Sequence, residues 1–440
     1  MTRRTIARTI TAALVVALAA AGAAPASAQF WVGVGTHFGQ NRGDVNRSFA
    51  LMRDAGIGAF RDELYWSLLE KSPGVFALTG ETARVGTALD SAAATGLEPV
   101  LILNYGNGLY GGGFPLNDAA RKAFAAYARF TAATYRGKIR HYEVWNEWNG
   151  GMGHADATAE MKAPESYLPV LQAAYAAVKQ SDPAAIVIGG AVDGNVAWTE
   201  RLVELGGMQH MDVLSIHPYM FHAGKDGTPE NLVGYIADLG RRLAAKNGGK
   251  VPPLYVTETG WPTTAAVPGG VTPETAADYL VRAYLGVRTL PFVKGMWWYE
   301  LQNSGGDPGN IQHNFGLTDA NLDPKPASHA MRAVAPLVAP SVSAERLPAP
   351  AGTWLVRLRH GDGSTVLALW ADGTPRRVGL DVWLPADAWS RQSGGGLGYQ
   401  ASESLLLRGG WNRLELALSG TPVLITVPRT DAVVGKVRDL

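Results

Sequence analysis

The sequence predicts an α/β fold, a (β/α)8 TIM barrel, followed by a small all-β sandwich domain. Three observations carry that expectation. Eight strand-like runs alternate with helix-like runs from residue 30 to about residue 337. Several of those runs are apolar throughout. The alternation then stops at a proline-punctuated connector, beyond which only short strand-like segments follow.

The expected barrel strands are 30–34, 57–61, 100–104, 139–146, 185–190, 213–217, 254–258 and 295–301. Val100-Leu101-Ile102-Leu103 has the continuous apolar character of a parallel strand buried on both faces. Between the strands lie helix starts. Asn117-Asp118 precedes a helical pattern over 119–135, and Pro164-Glu165-Ser166 precedes one over 167–179. Thr228-Pro229-Glu230 and Thr272-Pro273-Glu274 each set a capping Thr before Pro and Glu. A doubly wound open sheet would carry a Gly-rich phosphate turn after its first strand. Val34-Gly35-Thr36-His37-Phe38-Gly39 is not that turn. Pro336, Pro340, Pro348 and Pro350 mark the connector, and 354–359, 365–371, 377–382, 412–416 and 423–427 read as sandwich strands.

At 440 residues the chain has room for two domains, expected at 29–338 and 339–440. Residues 1–28 read as an export signal: Arg3, Arg4 and Arg8, an apolar run, then Ala26-Ser27-Ala28 as a cleavage site. The run is too short for a comfortable membrane span. The expected location is secreted or periplasmic, with no stable membrane insertion after cleavage. There is no cysteine, which excludes thiolate catalysis and thiolate metal sites. A formal charge of +1 points away from nucleic acid. A carbohydrate partner, no cofactor, no metal and a monomeric state are expected.

The strongest chemical signal is His141-Tyr142-Glu143-Val144-Trp145-Asn146-Glu147-Trp148-Asn149, at the end of the fourth expected strand. Strand ends on that face of a barrel form the active-site rim. Partial desolvation there favours a neutral carboxyl able to donate a proton. The second signal, Thr257-Glu258-Thr259-Gly260-Trp261, ends the seventh strand in the same way. Strand ends four and seven face each other across the mouth, so Glu147 and Glu258 are expected to flank one bond. Retaining glycoside cleavage needs two carboxyl groups about 5–5.5 Å apart. Further strand-end residues are candidate binding groups: His37, Arg61, Asn104, Tyr105, Asn146, Trp148, His217, Tyr219 and Trp298. Arg61 could pair with the nucleophile's carboxylate, Tyr219 and His217 could support it, and Trp298 could floor a sugar ring. The loops 106–114 and 302–315 could wall the cleft.

These residues resemble clan A glycoside hydrolases. In that clan the fourth-strand Asn-Glu supplies the acid/base and the seventh-strand Glu the nucleophile, which implies those roles for Glu147 and Glu258. Arg61-Asp62-Glu63-Leu64-Tyr65-Trp66 with Glu70 and Pro73-Gly74, and Asn314-Phe315-Gly316-Leu317 before Pro324-Lys325-Pro326-Ala327, are also similar to clan members. Within the clan the sequence is most similar to family 39, especially its bacterial exopolysaccharide hydrolases, over about residues 30–335. Trp148 stands where many members have Pro, and Thr259-Gly260-Trp261-Pro262 is similar to families 17 and 53. A transglycosylase, an inactive carbohydrate-binding barrel and a metal-dependent hydrolase are the alternatives. The last is disfavoured by nine dispersed His.

Overall fold

The computed structural model describes residues 30–393, 402–427 and 433–440, so the expected export signal at 1–28 lies outside the described residues. Eight parallel strands close into a barrel: β1 Trp31–Gly35, β2 Ala59–Tyr65, β3 Glu98–Asn104, β4 His141–Val144, β5 Ile186–Val192, β6 Val213–Ile216, β7 Leu254–Thr259 and β8 Val293–Trp298. Each pairs with its neighbours in sequence, and β8 returns to β1.

The helices are α1 Val45–Asp54, α2 Glu81–Thr95, α3 Asp118–Thr134, α4 Pro164–Ser181, α5 Val196–Glu204, α6 Pro229–Lys246, α7 Pro273–Arg288 and α8 Pro326–Val338. The caps work as their chemistry suggests. Asn117 accepts from the Ala120 amide, Thr228 from Asn231 and Thr272 from Thr275. Each bond satisfies an amide that the helix leaves unpaired. Helix α4 starts earlier than expected, because Pro164 itself occupies its first turn. Pro336, expected in the connector, lies inside α8.

Packing inside the barrel fixes the parity of the last strand. Ala59, Val100, Ile188, Val213, Tyr255 and Trp297 form one buried cluster there. Trp297 fits because its neighbours are glycines: a Cβ on Gly33 would lie 2.2 Å from the indole. Alternation then turns Trp298 outward to the helices.

Strand β4 ends at Val144, two residues before the expected end. Trp145 (φ 68°) and Glu147 (φ 46°) take the left-handed backbone conformation, which leaves the ladder. For non-glycine residues this costs about 1–3 kcal/mol each and is typical of functional sites.

After α8 come nine strands: β9 Ser341–Arg346, β10 Thr353–His360, β11 Thr365–Ala371, β12 Arg376–Leu384, β13 Ala388–Ser393, β14 Ser402–Leu407, β15 Gly410–Leu418, β16 Val423–Val427 and β17 Val433–Asp439. They form an antiparallel six-stranded sheet, β9-β10-β11-β16-β13-β14, and a three-stranded sheet, β15-β12-β17. Leu355, Leu367 and Leu369 meet Val378, Leu380 and Val382 between the sheets. The other face of the six-stranded sheet joins the barrel's core through Trp354, Val356, Trp370 and Leu424. β9, β13, β14 and β17 were not expected; β9 and β17 carry few buried positions to reveal them.

An ionic knot crosses this junction. Arg282 of α7 donates through Nε to Glu230 of α6 at 2.9 Å and pairs with it again through Nη2. Trp370 of β11 donates to the same carboxylate at 2.7 Å. Both charged side chains are only 6% exposed. Glu230→Ala would leave Arg282 buried with only the more distant Asp372 as a counter-charge. A stability loss of about 3 kcal/mol is expected, measurable by denaturant titration. Among the described residues no helix is long and apolar enough to cross a membrane.

Candidate active site

A cavity of about 700 Å³ opens at the C-terminal ends of the barrel strands. Glu147, Glu258, Arg61, Asn146, Tyr219, His37, Asn104 and Tyr105 all line it. The two glutamates arrive by different local devices. Glu147 follows the left-handed turn that ends β4, and its amide is held by the Ala191 carbonyl at 2.8 Å. Glu258 lies on a register shift in β7: Met296 pairs with Val256, but Trp298 pairs with Thr259. Such an irregularity re-aims a side chain that strict alternation would send outward.

One carboxylate oxygen from each glutamate and a ring nitrogen of His217 all lie within 4.8 Å of one another. Arg61 organises this group. It donates through Nη1 to Glu258 Oε1 at 2.5 Å, through Nε to Glu143 Oε2 at 2.5 Å, and through Nη2 to Asn146 Oδ1 at 2.8 Å. Tyr219 donates its hydroxyl proton to Glu258 Oε2 at 2.7 Å. His217 Nδ1 lies 3.0 Å from Glu147 Oε1 and 3.8 Å from Glu258 Oε2, and its Nε2 lies 3.0 Å from Thr257 Oγ1.

The surroundings of Glu258 favour its ionised form. Burial pushes the Glu258 carboxyl up, but the His217 and Arg61 charges and the Tyr219 and Arg61 hydrogen bonds outweigh it. Its pKa therefore falls below the ordinary carboxylate value. Burial lowers the pKa of His217, yet the Glu258 charge and the bond to Glu147 bring the net shift upward. Glu258 is thus held as an anion, and His217 Nδ1 stands between the two carboxylates. Tyr219→Phe removes a donor that favours the anion, so the Glu258 pKa should rise. In the nucleophile's role expected for Glu258 the ionised form is the reactive one, so the acid limb of kcat/KM should move to higher pH. A loss of about tenfold is expected at neutral pH, from the weight of one hydrogen bond to a charged group. A pH–rate profile checks both.

Three expected binding residues do not touch the cavity in that role. Trp298 is 1% exposed, faces the helices and lies against Trp261 at 5.8 Å between ring centroids. Trp297 takes the interior side of β8 instead, so Trp298 cannot floor a sugar ring. Trp148 is fully buried, stacked on Phe114 at 3.8 Å, with its indole N–H given to the Met161 carbonyl. His217 is also fully buried, behind the two carboxylates, and positions them instead of meeting a ligand. Arg61 reaches the cavity mid-strand, not at a strand end, and its donors are taken by protein partners.

Other groups were missed. Glu63 stands two residues after Arg61, on the same side of β2, and lines the cavity. It accepts from Gln40 and from Tyr65 at 3.0 Å. His37 bridges Glu63 (3.4 Å) and Glu300 (3.0 Å). Burial opposes its charge, but these two carboxylates raise its pKa to about 10, so it is cationic at neutral pH. Glu143, two residues before Trp145, is fully buried and anchors Arg61. A period of two run along β2 and β4 would have found both glutamates. Tyr299, not Trp298, is the eighth-strand aromatic in the wall. Of the two loops, 302–315 contributes Ile311, Gln312 and Phe315. The other folds back, with Tyr110 stacked on Trp66 and bonded to Glu70.

The chain matches no protein-family model and no curated protein. Among solved structures it is similar to a family 39 glycoside hydrolase from the gut symbiont Bacteroides cellulosilyticus WH2. That match has 25% identity and a TM-score of 0.72, covering 91% of this chain and 81% of the other. A glucosidase from Croceicoccus marinus matches at 15% identity and TM-score 0.62, over 87% of this chain and 92% of its own. A family 30 endoxylanase from Clostridium papyrosolvens C71 matches at 12% and 0.66, over 91% and 97%. The last two likenesses concern the fold alone. The resemblance to clan A glycoside hydrolases, family 39 among them, therefore holds in three dimensions as well as in the motifs.

Proposed function

We propose that this chain is a retaining O-glycosidase acting on a β-linked poly- or oligosaccharide by double displacement. The observation that carries the reading is the approach of Glu147 and Glu258 oxygens within 4.8 Å. That spacing suits direct attack by one carboxylate; an inverting pair stands about 6.5–9.5 Å apart, to leave room for water.

In the first step a Glu258 oxygen attacks the anomeric carbon, the glycosidic C–O bond breaks, and the departing oxygen takes the Glu147 proton. In the second, the Glu147 carboxylate removes a proton from water. The resulting hydroxide displaces Glu258 from the sugar, so both residues return to their starting state. Asn146 is held by Arg61 and donates to Tyr105 at 3.1 Å, which aims both at a bound ring. Asn104 is suited to a sugar hydroxyl, because its buried Oδ1 has no partner among the described residues. The motif resemblance to the bacterial exopolysaccharide hydrolases of family 39 favours a bacterial exopolysaccharide as substrate. The leader pattern at 1–28 favours a place of work outside the cytoplasm.

Proton NMR of the first product formed tests the mechanism. Retained anomeric configuration is the expected result, and inversion would remove the double displacement. A second reading rests on the same three residues, because their donor atoms span a distance a divalent cation could bridge. Arg61 against Glu258 and the upward shift of His217 both oppose a cation there. Incubation with a chelator should leave the rate unchanged; a loss restored by added metal would favour the metal.

A further inference from the structure

We infer that the outer sheet of the sandwich carries a second glycan-binding site, selective for chains bearing carboxylate groups. The three-stranded sheet β15-β12-β17 is the layer furthest from the barrel, since the six-stranded sheet takes the barrel contact. Trp411 on β15 is 63% exposed, the most exposed large apolar side chain among the described residues. It does not dangle. A Cβ on Gly435 would lie 2.7 Å from its ring, and one strand, β12, separates the two. The indole therefore lies flat across the sheet, with Gly435 as the bare patch that lets it down and its outer face open.

That face floors a depression of about 640 Å³ rimmed by Asp381, Arg413, Lys436 and Arg438. Arg413 meets Asp381 at 2.9 Å, and Arg438 meets it at 3.2 Å. One acid thus orders two guanidinium groups, and Lys436 makes no ion pair among the described residues. Glu415 also acts on Arg413 from beside the rim but is paired with Arg377, so three cations against Asp381 leave the rim positive. A flat indole suits the apolar face of a sugar ring, and a cationic rim suits a carboxylate beside it. Barrel-facing Trp354 and Trp370 have a packing duty in the domain junction; Trp411 has none. This site is independent of the cleft and of the chemistry proposed there.

Affinity electrophoresis of the full chain in gels containing polygalacturonate or hydroxyethylcellulose tests the proposal. Polygalacturonate should retard the protein in a salt-sensitive way, and the neutral polymer much less. Trp411→Ala should weaken retardation by about fivefold, the weight of one aromatic contact. Lys436→Glu should weaken it by about threefold. Turnover of a small aryl glycoside should be unchanged in both variants. No retardation by polygalacturonate, equal retardation by hydroxyethylcellulose, or unchanged retardation in either folded variant would each overturn the site. Should Trp411→Ala fail to fold, Lys436→Glu alone decides.

Discussion

Glu258→Ala is expected to lower hydrolysis by roughly 10⁵-fold while the barrel stays folded, because in the proposed mechanism Glu258 forms the glycosyl-enzyme bond. Glu258 is 9% exposed and has Arg61, Tyr219 and His217 around it. Its removal leaves the Arg61 guanidinium with Glu143 and Asn146, so the cation is not stranded. The fold should therefore survive, and the lost activity should be chemical in origin. Adding azide or formate should restore part of the first step, since a small anion fits the vacated space. A variant that keeps near-normal turnover would show that another residue attacks the sugar.

The second large effect concerns Glu147. Glu147→Ala should slow cleavage of unactivated substrates by about 10²–10⁴-fold, the usual weight of general acid catalysis. Aryl glycosides with good leaving groups need no proton, so their first step should survive. A burst of aryl alcohol followed by slow turnover is the expected kinetic pattern, because the missing base also delays water. Equal loss of the first step on both substrate types would assign Glu147 another role. His217 makes a close second measurement: it touches Glu147 and lies near Glu258, so His217→Asn should alter both limbs of the pH–rate profile.

Much of this was legible in the sequence, for physical reasons. Apolar runs such as Val100–Leu103 and caps such as Thr228 and Thr272 are local signals, set by residues that adjoin in the chain. Glu147 and Glu258 stood out because strand ends and neighbouring residue types mark the rim of a barrel. Parity was less legible. Choosing between Trp297 and Trp298 depends on which side of β8 faces inward, and that is decided by Gly33 on a different strand. The anchoring of Arg61 by Glu143, 82 residues away, likewise depends on the register between β2, β3 and β4. Trp148 looked like a ligand contact from its position beside Glu147, yet the left-handed turn at Glu147 rotates it into the core. The sandwich was hardest, since β9 and β17 bury few side chains and carry little alternation.

The junction built on Glu230, Arg282 and Trp370 bears on how the chain comes apart. Trp354 and Trp370 stack on each other and belong to the same apolar cluster as the barrel's helices. Neither half can loosen without wetting that seam and breaking the bond from Trp370 to Glu230. Heating should therefore give one calorimetric peak, not two, and a barrel truncated before Ser341 should aggregate through the exposed flank of α6 and α7. Attempts to shorten the protein for crystallisation or expression would do better to keep both halves.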